Sequence, residues 1–122
     1  MGVVILVVDD EPPVRRLIEH VLKAAGHFVY ATESAADAIA IAHALGPELD
    51  ILLCDVFLPQ SSGIDVARQV NAICPTVQTV LISGEFISDD ETPFIIDGIP
   101  YRVLPKPFTP QQLLNVITLL IN

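Results

Sequence analysis

Four short apolar runs along the chain each end at a polar residue. The runs cover residues 3–8, 51–54, 80–82 and 103–105, and the residues that follow them are Asp9 with Asp10, Asp55, Ser83 and Lys106. Short runs that are rich in Val, Ile and Leu and lack alternation are typical of strands buried on both faces. If these strands are parallel, their carboxyl ends share one edge of the sheet, where open α/β sheets bind ligands. The pattern therefore predicts that carboxylates, a hydroxyl and a lysine meet at that edge.

Segments with helical periodicity separate the predicted strands. The strands cover residues 3–8, 28–32, 51–54, 79–82 and 101–104. The predicted helices begin at Pro12, after Ser34, at Gly63 and after the capping residues Thr109, Pro110 and Gln112, and the first two end at Gly26 and near Gly46. Their signals are apolar residues at helical spacing, N-capping hydroxyls and terminal glycines. Five strands that alternate with helices predict an α/β fold with a parallel, doubly wound sheet.

The segment of residues 85–98 is the least regular part of the chain. Pro93 interrupts it, and Asp89, Asp90 and Glu91 crowd its start. The pattern predicts at most a short helix after Thr92, with Pro93 in its first turn, where the N–H that proline lacks has no intrahelical use.

Length and composition limit the classes of protein to which the chain can belong. The 122 residues fit one domain, and 52% of them are hydrophobic, with a mean hydropathy of +0.58. The longest apolar run, residues 3–8, is far shorter than the roughly 20 residues that cross a bilayer. Neither a basic segment before it nor a small-residue cleavage pattern after it indicates a signal peptide. We expect a soluble, cytoplasmic protein with no membrane contact.

Charge and cysteine usage add two expectations. Fifteen acidic against six basic residues give a net charge of −9, which repels nucleic acid phosphates and predicts no direct binding of DNA or RNA. Cys54 and Cys74 lack the spacing of a metal site and fall at the ends of predicted elements, so buried free thiols are expected.

The acidic residues at the strand ends allow two interpretations each. Asp9 and Asp10 either cap the following helix or offer oxygen ligands to a hard divalent cation such as Mg²⁺, with Glu11 facing solvent. Asp55 opens a loop that contains Pro59, so it is either a turn former or a nucleophile. If the three aspartates converge, a cation or a lysine is needed to keep them ionised.

Lys106 and Ser83 each allow a structural and a functional interpretation. Lys106 is one of two lysines and lies between Pro105 and Pro107, so it is either a surface residue in a stiff turn or a counter-ion aimed inward. In the second case, an X-Pro bond at Pro105 or Pro107 that aims the side chain inward is a candidate for the cis form. Ser83 either begins the loop that Gly84 continues or takes part in the chemistry.

The ordered set of motifs VVDDE, DVFLPQSSG, LISG and KPF resembles the receiver domain of two-component response regulators. The resemblance extends from Val3 to the last helix and makes residues 1–122 one receiver domain. It implies a flavodoxin-like (βα)5 fold, with a five-stranded parallel sheet in the order 2-1-3-4-5 and helices on both faces.

The resemblance also implies a role for each polar strand end. Asp55 is the phosphoacceptor, which takes a phosphoryl group from a phosphohistidine of a sensor histidine kinase or a histidine phosphotransfer protein. The implied Mg²⁺ ligands are Asp9, Asp10, Asp55 and the backbone carbonyl of Phe57. Lys106 pairs with a phosphoryl oxygen, and Ser83 donates a hydrogen bond to another and moves its loop. Such a domain is a signalling switch that catalyses only its own phosphoryl transfer and slow dephosphorylation.

Two positions depart from the pattern of the family. Receivers usually carry Tyr or Phe where this chain has Val103, and Tyr101 lies two residues earlier, on the same face of the predicted strand. We hypothesise that Tyr101 partly replaces the usual aromatic residue, or that signalling proceeds without one. Phe57 is bulky and apolar where many receivers are polar, and we hypothesise that it hinders the hydrolytic water and prolongs the phosphorylated state.

The last helix is apolar on most of its circumference, through Leu113, Leu114, Val116, Ile117, Leu119, Leu120 and Ile121. Exposed apolar surface of that kind usually marks an interface. Either a second copy or an effector docks on this helix, or a continuation of the chain covers it.

Two other functions compete with the switch. The first is a Mg²⁺-dependent phosphohydrolase with an aspartyl nucleophile, but Phe57 stands where its general acid would follow Asp55, and no insertion is long enough to cap a substrate. The second is a degenerate receiver that only binds partners, which the intact acids and Lys106 disfavour.

Overall fold

The computed structural model describes residues 2–84, 94–96 and 98–121. The strands are β1 Val4–Val8, β2 Phe28–Thr32, β3 Ile51–Asp55, β4 Phe57–Leu58, β5 Ser61–Ser62, β6 Gln78–Ser83, β7 Phe94–Ile96 and β8 Ile99–Pro105. The helices are α1 Pro12–Ala24, α2 Ala35–Leu45, α3 Gly63–Ile73 and α4 Pro110–Ile121, with a 3₁₀ turn at Gly46–Glu48. Strands and helices alternate as the hydrophobic pattern predicts.

The main sheet has the order β2-β1-β3-β6-β8-β7, and its first five strands are parallel. With the small hairpin β4-β5 and the antiparallel edge strand β7 set aside, the five parallel strands follow the predicted order 2-1-3-4-5, and the prediction is confirmed. The register pairs Val8 with Cys54, Asp55 with Ile82, and Ser83 with Pro105. The central strands therefore end at one edge of the sheet.

Alternate side chains of each central strand pack into two separate layers. On one face, Ile51 and Leu53 of β3 pack with residues of α1 and α4; on the other, Leu52 and Cys54 pack with residues of α2 and α3. All five residues of β3 are buried. Burial on both faces explains why the strand sequences show no alternation.

The predicted helix signals are present as hydrogen bonds. The Ser34 hydroxyl accepts from the N–H of Asp37 at 3.0 Å. At the start of α4, the Gln112 N–H donates to the Thr109 hydroxyl at 3.1 Å, and the Thr109 N–H donates to the Gln112 side-chain oxygen at 2.8 Å. These reciprocal bonds form the predicted capping box.

Residues 94–96 do not form the short helix that the sequence predicts after Thr92. These residues are strand β7, which runs antiparallel to β8 and pairs Phe94 with Tyr101. Phe-Ile-Ile is a β-forming run, and β8 is available to pair with it; Gly98, which precedes β8, has φ 79°. Residues 85–93, including the predicted first turn at Pro93, lie outside the described residues.

Cys54 and Cys74 are buried free thiols, as predicted. Burial raises the pKa of each thiol above its ordinary value, so neither is a ready nucleophile. None of the helices in the described part of the chain has the length and apolar content needed to span a membrane.

The last helix, α4, buries Leu113 and Ile117 in the core but leaves Leu119 and Ile121 exposed by 59% and 42%. Leu114, Val116 and Leu120 are partly buried against the core. The helix is therefore more one-sided than the sequence indicates, and an interface on it stays a prediction.

Candidate functional site

The polar strand ends meet around the ammonium group of Lys106. Its Nζ atom lies 2.7 Å from Asp55 Oδ2, 2.9 Å from Glu11 Oε1 and 3.1 Å from Asp9 Oδ2. Asp9 is fully buried, Asp55 is 4% exposed, and the Lys106 side chain is 14% exposed. Of the two interpretations of Lys106, the structure shows the side chain that points inward, and its role toward a phosphoryl group stays a prediction.

Asp55 is held at both carboxylate oxygens. Oδ1 accepts a hydrogen bond from the Phe57 N–H at 3.0 Å, and Oδ2 accepts from Lys106. Behind it, the Gly63 N–H donates to the Val56 carbonyl at 2.8 Å, and a Cβ atom at residue 63 would lie 1.8 Å from the Asp55 carbonyl oxygen. The start of α3 therefore packs directly on the backbone that carries Asp55.

Asp9 has one satisfied and one unsatisfied oxygen. Oδ1 accepts from the Glu11 N–H at 2.8 Å, whereas Oδ2 is buried with no hydrogen-bond donor among the described residues, although it lies within ion-pair distance of Lys106. Burial raises the pKa of Asp9, and the Glu11 N–H and the charge of Lys106 oppose that rise. The Asp9 carbonyl accepts from Arg15 at 2.9 Å, which fixes the turn into α1.

The helix-capping interpretation of the two adjacent aspartates is wrong. The N-cap residue of α1 is Glu11 rather than either aspartate, and the Glu11 side chain makes no capping hydrogen bond. Instead, oxygens of four carboxylates, from Asp9, Asp10, Glu11 and Asp55, lie within 4.8 Å of one another. Oxygen ligands in this number, one of them buried without a donor, fit a hard divalent cation.

Lys106 is held by its backbone as well as by its side chain. Its N–H donates to the Ser83 carbonyl at 2.7 Å, and its bond to Pro107, one of the two X-Pro bonds considered from the sequence, is cis. Burial lowers the pKa of Lys106, but the hydrogen bonds to Asp55 and Glu11 and the negative charge of Asp9 outweigh burial and hold the pKa above its ordinary value. The ammonium form is thus strongly favoured.

Ser83 ends β6 and is 1% exposed. Its carbonyl bond to Lys106 places it at the same edge as the acidic residues. Its part in phosphoryl binding stays a prediction.

Tyr101 and Val103 lie on one face of β8, as strand periodicity predicts, and both pack in the layer of α2 and α3. Tyr101 is 4% exposed, and its hydroxyl accepts from Asn71 of α3 at 2.8 Å. This polar link was not predicted, because a single asparagine on a helix carries no sign of its partner. The signalling role of Tyr101 stays a prediction.

Glu11 meets only part of the expectation that it faces solvent. Its side chain is 56% exposed, as expected of a residue that faces solvent, yet its carboxylate binds Lys106. The sequence position of Glu11 could have predicted this contact. A helix N-cap that comes shortly after a strand lies at the same edge of the sheet as the end of that strand.

Phe57 lies beside the site with a side chain that contributes little to the core. It is 55% exposed, although its N–H is bonded to Asp55 and it pairs with Ser62 across the hairpin β4-β5. An exposed aromatic ring therefore borders the phosphoacceptor candidate.

Comparison with known proteins connects this geometry to a family. The family model for the response regulator receiver domain matches residues 5–118. The chain is 30% identical over 118 residues to the phosphate regulon transcriptional regulatory protein PhoB of Pseudomonas aeruginosa, which covers 93% of this chain and 49% of PhoB. It is 29% identical over 113 residues to the sensor kinase CckA of Brucella abortus, which covers 93% of this chain and 12% of CckA. The chain thus spans about half or less of these relatives.

Solved structures show the same architecture. A response regulator receiver protein from Sinorhizobium medicae WSM419 superposes with a TM-score of 0.80 at 31% identity, over 99% of this chain and 95% of that one. Similarity over nearly the full length of both chains confirms the predicted fold.

Proposed function

Since the chain belongs to the family of response regulator receiver domains, we propose that Asp55 is its phosphoacceptor and that Asp9, Asp10, Asp55 and the Phe57 carbonyl hold Mg²⁺. Receiver domains are phosphorylation-dependent signalling switches that accept phosphoryl groups from histidine kinases or phosphotransfer proteins. The observation that carries the proposal is the position of Asp55, a buried carboxylate in the acidic cluster that lies 2.7 Å from the Lys106 ammonium group.

The proposed reaction is a phosphoryl transfer. An Asp55 carboxylate oxygen attacks the phosphorus of a phosphohistidine, a P–O bond forms as the P–N bond breaks, and the imidazole leaves with the bonding electron pair. The Phe57 N–H on Oδ1 and Lys106 on Oδ2 orient the attacking carboxylate. Bound Mg²⁺ neutralises charge on the transferring oxygens, which is most of what a protein can contribute to a loose transition state.

After transfer, the other residues at the edge bind the product. Lys106 donates to a phosphoryl oxygen, and Ser83 donates to another and draws its loop inward. Because the Ser83 carbonyl is bonded to the Lys106 N–H, movement at either residue is transmitted to the end of the neighbouring strand. A new anion thereby reshapes the surface that partners read.

The partners follow from this chemistry. A sensor histidine kinase or a histidine phosphotransfer protein supplies the phosphoryl group, and α4 with its exposed Leu119 and Ile121 contacts a second copy or an effector. The phosphohydrolase alternative finds no support in the family match or in the relatives named above.

The test is incubation with Mg²⁺ and a small phosphodonor such as acetyl phosphate, followed by intact-mass measurement. We expect one phosphoryl adduct, which maps to Asp55, is labile to hydroxylamine and is absent when Mg²⁺ is chelated. Asp55→Asn is the matched control, because it keeps the shape of the side chain and removes the nucleophile. An adduct on Asp55→Asn, or repeated turnover of a phosphoester without an adduct, contradicts the proposal.

Replacing Phe57 by asparagine should speed dephosphorylation by about twofold to tenfold, the range that one added hydrogen bond to the attacking water supplies. The Phe57 ring is exposed beside the acceptor and offers water no hydrogen bond, whereas an amide can orient it. The measurement is the decay of the adduct after removal of the phosphodonor. Phe57→Leu is the apolar control, and equal decay rates for the two variants contradict the hypothesis.

A further inference from the structure

The three carboxylates that surround Lys106 are not equivalent. Asp55 and Asp9 are buried and belong to the strand ends, whereas Glu11 is 56% exposed and reaches Lys106 from the N-cap of α1. Glu11 is not among the residues to which the resemblance gives a role. Its contact with Lys106 therefore needs a separate explanation.

Lys106 contacts carboxylates of very different exposure. An ammonium group has three N–H donors. It hydrogen-bonds Asp55 at 2.7 Å and Glu11 at 2.9 Å, while the buried Asp9 Oδ2, at 3.1 Å, has no hydrogen bond among the described residues. An exposed carboxylate at the rim of the site thus shares the ammonium group with two buried carboxylates.

The backbone of Glu11 is fixed, so this contact has a defined origin. Its N–H donates to Asp9 Oδ1 at 2.8 Å, and its carbonyl accepts from the Arg15 N–H at 2.9 Å. The side chain alone is free to leave Lys106, because it is exposed and water can solvate its carboxylate.

We propose that Glu11 is a positioning residue that holds Lys106 in the unphosphorylated protein and competes with the phosphoryl group for it. The inference rests on the proposed function. A phosphoryl group on Asp55 needs the Lys106 donors, and the Glu11 carboxylate both occupies one donor and repels the incoming anion. Glu11 therefore favours the unphosphorylated state and sets the threshold at which the switch responds.

The experiment is a titration with beryllofluoride, a phosphoryl mimic, followed by ¹⁹F NMR at a Mg²⁺ concentration that saturates each variant. Glu11→Gln should bind it about twofold to fivefold more tightly than the wild type, which corresponds to one exposed ion pair. Glu11→Asp should gain less, because its side chain is one methylene too short for the contact but keeps the charge that repels the anion. Glu19→Gln, which removes an equal charge that pairs with Lys23 on α1, should leave the affinity unchanged.

A second readout separates this role from a structural one. Loss of the Lys106 contact should slightly lower the unfolding free energy of the free Glu11→Gln protein while its affinity for beryllofluoride rises. Equal or weaker binding by Glu11→Gln overturns the inference, as does wild-type affinity in Glu11→Asp or an equal gain in Glu19→Gln. Failure of the wild type to bind at all overturns the proposed function as well, whereas wild-type binding with unchanged variants overturns the inference alone.

Discussion

Alanine in place of Gly63 is expected to destabilise the folded chain by about 3 kcal/mol or more, in the range of severe overpacking. The added Cβ would lie 1.8 Å from the Asp55 carbonyl oxygen, 2.7 Å from the Asp55 carbonyl carbon and 2.9 Å from Val56 Cα. These are backbone atoms of a fully buried strand and its first loop residue, so they cannot move aside as the end of a flexible side chain can. Helix α3 must instead shift away from β3 and lose the Gly63–Val56 hydrogen bond.

Urea denaturation measures this effect as a lower midpoint at an unchanged slope. Gly84→Ala is the control, because it lies at the same edge and, among the described residues, a Cβ there would meet only Lys106 side-chain carbons at 4.0 Å. We expect the control to remain within about 1 kcal/mol of the wild type. A Gly63→Ala protein as stable as the control would show that α3 does not press on the Asp55 backbone.

Replacing Lys106 by methionine should destabilise the metal-free protein by about 2 to 4 kcal/mol, since it leaves buried carboxylates without their cation. Asp9 is fully buried and Asp55 nearly so, and each lies within 3.1 Å of the ammonium. Because these contacts raise the pKa of Lys106, their contribution is complete below pH 10.5 and is lost only as the pH rises through the higher folded-state pKa. Mg²⁺ should restore much of the loss, because it supplies the missing positive charge.

The chain has one other lysine, which makes the control direct. Lys23 is 56% exposed and pairs with Glu19 four residues earlier on α1. Lys23→Met should change the unfolding free energy by no more than about 0.5 kcal/mol. Denaturation of both variants at neutral pH, with chelator and with Mg²⁺, decides the question. Equal stabilities in chelator, or a Lys106→Met protein that Mg²⁺ does not stabilise, would contradict the assigned role of Lys106.

The strands and the polar residues that end them were predictable because both signals are local. A strand buried on both faces shows as a short continuous apolar run, as at residues 51–54, and the parallel sheet then brings the carboxyl ends together. Ser34 and Thr109 were recognisable as caps because a capping side chain binds N–H groups only two or three residues away. The specific roles came from the resemblance to receivers rather than from spacing.

The segment around Pro93 shows where local reasoning failed. A proline that fits the first turn of a helix fits equally before a strand, and β8 was available to pair with Phe94–Ile96. Pairing across a sheet depends on which neighbour is present, and the local pattern of a segment does not show its neighbour.

The sequence by itself determined which chemical groups lie at the sheet edge, because strand ends and their following residues are set by short-range patterns. Only the tertiary structure decided how those groups share their bonds. Lys106 reaches Glu11 across 95 positions of the chain, and Tyr101 meets Asn71 across 30. Such contacts depend on side-chain length and on the packing of separate elements, and no period along the chain records them.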